Sequence, residues 1–482
     1  MTRQINRVTL VLMLLIIALI ANVSVIQVFQ AKHLKNEPGN QRRTLTEYAH
    51  PRGTILVGSR VIADSVETTD TLKFQRRYPD KSIYAPVTGF YSLIYGATEL
   101  ENEENDILTG NDSRFLVNRL QQLFAGRKTS GGTVRLTLNN AAQESAMRAL
   151  NGRTGAVVAI DAKSGAILAL ASSPSFDPNA LASHNTDAIQ RTYARLAGDA
   201  REPLLNRSIA MTLPPGSTFK LITAAAALSS GKFTPNSLIP GPARLKLPLS
   251  NHFLTNWNGQ ACGANNQTTL AHALAISCNT AFAWLGMKLG AQAIAEEAQK
   301  FGFDSTFEIP MPAAASRFPT KLDQAQTAMS AIGQFDVQAT ALQMAVTAAG
   351  ISNNGIVMRP YLIAQVLGPD LGVLENAQPS AYSRALTPHQ AGLLKQMMVD
   401  VVNSGTGSNA RIAGITVGGK TGTAETAPEK PAHAWFVAWA QTKTTNIAVA
   451  VVLQNGGGAR EISGNGLAAP IAAKVIRAVL GQ

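Results

Sequence analysis

At 482 residues, with 45% apolar residues, the chain exceeds the usual size of one folding unit and can bury a sizeable core. Its formal net charge of +12 suits an anionic partner, but no dense Lys/Arg block and no aromatic–basic interleaving occurs, which argues against nucleic acid. His and Cys fall at no metal-ligand spacing, so no metal is expected.

Residues 8–29, "VTLVLMLLIIALIANVSVIQVF", form the long apolar run of the sequence. At about 1.5 Å per residue a helix of this length crosses a bilayer core of about 30 Å. The run is longer than the apolar part of a signal peptide, and no A-x-A-like site follows it. An uncleaved anchor is therefore expected at 8–29, with a cytoplasmic tail at 1–7 and the remainder outside the cytoplasm. Arg3 and Arg7 precede the run and Lys32 and Lys35 follow it, so the flanking charges orient it only weakly.

The polar stretch from 31 to about 60, with "NEPGNQRR", reads as exposed juxtamembrane chain. From about 60 to 135 short β-rich pieces alternate with turns, as in "YAPVTGFYSLIYG", and "ENEENDILTGNDS" (101–113) reads as a solvated loop or helix start. "GGTVRLTLN" alternates as a strand and "NAAQESAMRAL" follows as a helix. At 155 the character changes. "GAVVAIDAKSGAILALASSPS" places two apolar β runs around a Lys-Ser-Gly turn, a hairpin signal. Ala-rich helices are expected at 217–230, 268–290, 291–301 and 338–350, then strands in "TVGGKTGTAE", "AHAWFVAWA" and "NIAVAVVLQ", and a last helix at about 468–480. The expected architecture is α+β: a β-rich, non-catalytic pedestal at 30–150, and a unit at 151–482 whose largely antiparallel sheet is flanked by helices. Cys262 and Cys278, 16 residues apart, read equally as a disulfide or as two small buried hydrophobes.

Three short patterns carry chemistry. "LPPGSTFKLITAAAAL" places Ser217 at a helix start, where amides and the helix dipole favour negative charge on oxygen. Lys220, one turn on and flanked by Phe219, Leu221 and Ile222, would be desolvated, which lowers its pKa and lets it accept a proton. A second Ser-x-x-Lys, Ser229 to Lys232, sits at a helix end beside Gly231 and carries no such context. In "LAISCNTAFAWLG", Ser277 and Asn279 lie between two apolar helical segments, and "GGKTGTAE" holds Lys420, Thr421, Gly422 and Thr423. Gly422 permits close approach of a ligand to the strand.

Ser-x-x-Lys, Ser-x-Asn and Lys-Thr-Gly in this order resemble the active-site triplet of the penicillin-binding and serine β-lactamase superfamily. The chain as a whole resembles a class B penicillin-binding protein. "SAIGQFDVQATALQMAVTAAGISNNG" and "GTGSNARIAGITVGGKTGTAE" are similar to the approach to the last motif, and "PRGTI", with Arg52 and Gly53, to the pedestal's Arg-Gly signature. The Asp-Arg-Asn-Gly run usual just after that signature is absent here ("LVGSR"), so the pedestal match is looser. The resemblance implies a transpeptidase fold behind a single transmembrane helix, and acylation of Ser217 with Lys220 as general base. It implies a proton relay through Ser277 supported by Lys420, a substrate amide held by Asn279, and a terminal carboxylate gripped by Thr421 and Thr423. The backbone N–H groups of Ser217 and Thr423 would form the oxyanion hole. Implied partners are peptidoglycan stem peptides ending in D-Ala-D-Ala, β-lactams, the cytoplasmic membrane and a membrane glycosyltransferase; no cofactor is implied. Two rivals share the motifs. A D,D-carboxypeptidase would use water as acceptor. A serine β-lactamase would need a base for the deacylating water, and none of Glu296, Glu297, Glu308 and Glu375 has Asn three residues on.

Overall fold

The computed structural model describes residues 2–26, 47–115, 130–424, 431–456 and 464–482. Most of the expected juxtamembrane stretch and the last residues of the apolar run lie outside them. Helix α1 (Thr2–Val25) takes in the tail expected at 1–7, so the helix starts earlier than the apolar run does. From Asn6 to Val25 its mean hydropathy is 2.8, and it is long and apolar enough to cross a membrane.

Past this helix, β1 (Ile55–Val57), β2 (Arg60–Glu67), β3 (Phe74–Arg77) and β4 (Thr133–Leu136) are followed by α2 (Asn140–Leu150). The expected hairpin appears as β5 (Gly155–Asp161) and β6 (Ile167–Ser173), and α3 (Lys220–Ser229) follows a single 3-10 turn at Gly216–Phe219. A small hairpin, β7 (Arg244–Lys246) and β8 (Phe253–Thr255), precedes α4 (Leu270–Ala275), α5 (Asn279–Leu289) and α6 (Ala291–Lys300). Then come α7 (Ala341–Ser352), β9 (Ile363–Leu367), β10 (Val373–Asn376), α8 (Pro388–Asn403), β11 (Thr416–Ala424), β12 (His433–Gln441), β13 (Asn446–Leu453) and α9 (Ala469–Leu480).

The catalytic-half sheet runs β11–β12–β13–β5–β6, antiparallel throughout. Its strands are covered on both faces, so β13 is buried at every residue and reads as an unbroken apolar run. Alternation still sorts the side chains. Val158, Ile160, Ala448, Ala450 and Val452 face the cluster that holds α3 and α7, while Val157, Ala159, Val449 and Val451 meet Ala142, Ala146, Ile471 and Val475 of α2 and α9. Helix α7 is buried along its whole length, and its amides start from Thr340, whose hydroxyl accepts from Gln343 N.

The other sheet is mixed, with order β10–β9–β4–β1–β2–β3, and β1 lies parallel to β4. Two of its strands, β9 and β10, come from beyond residue 360, so the boundary expected at 150 does not divide two self-contained sheets. The stretch 101–113, expected as a solvated loop or helix start, is helical over Glu99–Glu103 and Asn105–Leu108 and exposed at several residues, but it also holds a buried carboxylate. Glu101 is fully buried and accepts from Arg52 Nε at 2.5 Å, Arg76 Nε at 2.6 Å and the Tyr78 hydroxyl at 3.1 Å. A buried carboxylate is tolerable only with such paired donors, and these come from residues distant in sequence.

The helix expected over 268–290 is broken. Thr269 caps α4, and Ser277 then adopts φ +61°, a left-handed conformation unusual for a residue with a Cβ. Helix α5 restarts at Asn279. The break places the polar side chains of this segment in the site described next.

Candidate active site

Ser217 lies in the 3-10 turn that opens α3, and that turn is wedged against β11. A Cβ on Gly216 would meet Thr423 O at 2.6 Å, and one on Gly422 would meet Pro215 O at 2.9 Å. Gly216 also has φ +53° and donates its N–H to Gly333 O at 2.9 Å, so glycine is required there both for conformation and for close approach. Below the turn, Phe219 is buried and stacks on Phe318, which fixes the direction in which α3 leaves. Ser217 itself is half-buried, and among the described residues its hydroxyl has no hydrogen-bond partner.

Lys220 is fully buried. Its Nζ donates to Ser277 O at 2.8 Å, Asn279 Oδ1 at 2.7 Å and Ser277 Oγ at 3.3 Å, and it lies 5.6 Å from the centre of the Phe282 ring. Lys420, also fully buried, approaches from β11 and donates to the same Ser277 Oγ at 2.9 Å and to Thr421 O at 2.9 Å. Two amines therefore converge on one hydroxyl, and neither forms an ion pair among the described residues. Burial, and then the charge of Lys420, hold Lys220 well below the ordinary lysine value. Burial alone brings Lys420 down to about 7. Such a pair cannot both stay charged at low cost, and the group pushed down further, Lys220, is the one left neutral and so free to take a proton.

The structure brings Ser217, Lys220, Ser277, Asn279, Lys420, Thr421, Gly422 and Thr423 to one place. Lys220 does not meet the Ser217 hydroxyl directly; its three donors go to the Ser277–Asn279 turn. Thr421 is nearly buried and shares a hydrogen bond of 2.7 Å with the Thr406 hydroxyl, whereas Thr423 is exposed at the strand's outer side. The second Ser-x-x-Lys is dispersed: Ser229 Oγ donates to Glu297 Oε1 at 3.3 Å and Lys232 is exposed.

Cys262 and Cys278 form a disulfide, with Cα atoms 6.1 Å apart, tying the loop after β8 to the Ser277–Asn279 turn. Two contacts here involve residues that are not among the expected site residues. Thr406 lies 15 residues before Thr421, and Asn256 sits in a polar loop with no motif around it, yet it reaches the start of α5. Their roles follow only from the fold. Three of the four glutamates considered as a water-activating base are engaged by other side chains, Glu296 by Gln292, Glu297 by Lys300 and Ser229, and Glu375 by Arg114, and the fourth, Glu308, is exposed.

Residues 155–477 match the penicillin binding protein transpeptidase domain, and residues 52–134 match the penicillin binding protein A dimerisation domain. The chain is 42% identical over 491 aligned positions, covering both proteins fully, to the peptidoglycan D,D-transpeptidase PbpA of Mycolicibacterium smegmatis. The structure of penicillin-binding protein A from M. tuberculosis, as its ceftriaxone acyl-enzyme, superposes with a TM-score of 0.88 at 41% identity, covering 90% of this chain and 100% of that one. A D,D-transpeptidase domain from Eggerthella lenta superposes with a TM-score of 0.77 at 30% identity, covering 90% and 98% respectively. Full-length similarity, the ordered motifs and the convergence of two buried lysines on one serine agree: the chain belongs to the penicillin-binding protein transpeptidase family, as a class B member.

Proposed function

We propose that this chain is a peptidoglycan D,D-transpeptidase that joins stem peptides through an ester on Ser217, and that β-lactams are trapped on the same oxygen. The observation that carries the reading is the placement of Lys220 and Lys420, two buried amines without a counter-charge among the described residues, around Ser277 Oγ.

Lys220, held neutral by burial and by Lys420, takes the Ser217 proton as Oγ attacks the carbonyl carbon of the penultimate D-Ala. The negative charge that develops on the carbonyl oxygen is met by the backbone N–H groups of Ser217 and Thr423, whose chain segments are adjacent. Ser277 Oγ passes its proton to the departing amine of the terminal D-Ala and regains one from Lys220. The C–N bond breaks, and the Ser217 ester remains. An acceptor amine then attacks that ester, its proton returns through the same groups, and Ser217 is released as the free hydroxyl. Asn279 orients the donor's amide. Lys420, Thr421 and Thr423 bind its terminal carboxylate, with the Lys420 charge made more favourable by that carboxylate.

A β-lactam enters as a strained mimic of that amide. Its leaving nitrogen stays tethered in the acyl-enzyme and blocks the acceptor. With no glutamate followed by Asn at the spacing a deacylating base needs, the reading favours a long-lived adduct over turnover. The protein is read as anchored by α1 with its catalytic unit outside the cytoplasm, resting on a pedestal that docks a membrane glycosyltransferase. The purified full-length chain, given two stem peptides, is expected to yield the coupled dimer. Trimming of the terminal D-Ala without coupling would make it a D,D-carboxypeptidase instead.

A further inference from the structure

The first amides of a helix have no partner within it and must find acceptors elsewhere. In α5 the cap residue Cys278 offers only a sulfur, 3.4 Å from Ala281 N. The N–H groups of Asn279 and Thr280 go instead to the Asn256 side-chain oxygen, at 3.0 and 3.1 Å, from a residue in the loop after β8. On its other side, the Asn256 amide nitrogen donates to Gln260 O at 2.8 Å and Pro242 O at 3.1 Å. The side chain is 5% exposed. With donors on one side and carbonyls on the other, only one orientation of the amide satisfies the site.

Ser277, two residues before α5's first amides are taken up, holds φ +61°. A conformation so sparsely populated persists only where the surroundings over-determine it. Four ties do so: the hydrogen bonds of Ser277 N to Leu274 O and Cys278 N to Ala273 O, the Lys220 Nζ bond to Ser277 O, the disulfide to Cys262, and Asn256. Asn256 is the tie that grips the start of α5, and Asn279 Nδ2 adds a bond of 3.1 Å to Thr255 O, the residue just before it.

We infer that Asn256 is a positioning residue of the transpeptidase site, holding the Ser277–Asn279 turn where the Ser277 hydroxyl meets both lysine amines. The inference rests on the transpeptidase reading. That reading fails if Ser217 is not the acylated residue or if stem peptides are trimmed without being coupled; this inference fails on how fast Ser217 is acylated.

Two substitutions separate positioning from stability. Asn256→Asp keeps an acceptor for the α5 amides, and a carboxylate suits a helix start, but its second oxygen would face two carbonyls. It should therefore lower the Tm while keeping the turn in place. Asn256→Ala removes the acceptor and lets the turn relax. In the full-length chain in detergent, penicillin adduct formation on Ser217 is followed by mass spectrometry and the Tm is measured alongside. Asn256→Ala should react about 10²-fold more slowly, and Asn256→Asp within about threefold of the unaltered protein despite a lower Tm. Asn256→Ala within about threefold of the unaltered protein, Asp as slow as Ala, or rates that simply follow Tm in both variants would overturn the inference. Should Asn256→Ala not fold, Asn256→Gln, which keeps the amide but displaces its oxygen by one methylene, takes its place: adduct formation slowed at least about tenfold while Asn256→Asp stays within about threefold upholds the inference, and a Gln rate within about threefold overturns it.

Discussion

Lys220 and Lys420 reach the same Ser277 oxygen, at 3.3 and 2.9 Å, from two different elements. Their proton affinities set the pH range of the reaction. Lys220 acts as base only when neutral, so acylation should be lost as pH falls through its lowered pKa. Lys420 contributes its charge only while protonated, and in the free enzyme that charge is lost as pH rises through about 7. The second-order acylation rate should therefore be bell-shaped, measured with a fluorescent penicillin between about pH 5 and 9. A bound carboxylate raises the Lys420 pKa, so the alkaline limb should move upward in the rate at saturating substrate. A profile without an alkaline limb would remove Lys420's charge from the account. At this scale much was legible: the ordered motifs name Ser217, Lys220, Ser277 and Lys420. Asn256 and Thr406 were not singled out: Thr406 lies in a stretch matched only as a whole to the approach to the last motif, and Asn256 lies in a loop with no motif around it.

Among the elements, the segment around Glu101 shows how a charged stretch can be misread. "ENEENDILTGNDS" has the composition of a solvated segment, yet Glu101 is enclosed by Arg52 and Arg76. Removing the carboxylate leaves two buried guanidiniums unpaired, so Glu101→Ala should lower unfolding free energy by about 3–5 kcal/mol in urea titration. A loss below about 1 kcal/mol would show that water compensates the pair. Strands and helices of the catalytic half were readable because their apolar periods are strong: β5, β6, β11, β12 and β13 lie where alternation and unbroken apolar runs place them. The break at Ser277 was not readable, since "AHALAISCNTAFAWLG" keeps helical apolar spacing through the residue that turns left-handed. Helix α8, which opens with a Thr387–Gln390 capping box and Pro388, carries a start signal that composition alone passes over.

The whole molecule is joined by contacts that the linear order hides. Strands β9 and β10 complete the pedestal-side sheet from within the second half of the chain. Glu99 meets Asn206 Nδ2 at 3.4 Å across the same junction. Burial raises Glu99 to about 7, and Glu103 adds to the shift. Its folded-state pKa thus lies above the ordinary 4.5, so the stability it contributes is complete below about 4.5 and is lost as pH rises through about 7. Glu99→Gln should then raise the Tm at pH 8, by an amount corresponding to about 2 kcal/mol, and leave it unchanged near pH 4. An equal effect at both values would mean that the carboxyl does not titrate in this range. Junction contacts of this kind also bear on any shortened chain: one beginning near 150 loses β4, the sheet neighbour of β9, and should be less stable than one beginning near 130. The central claim, that Ser217 is the nucleophile, is tested most directly by mass spectrometry of the intact and digested protein after penicillin treatment. One long-lived adduct is expected on Ser217, absent in Ser217→Ala and retained in Ser229→Ala. An adduct on another residue, or rapid release of opened penicillin, would contradict it.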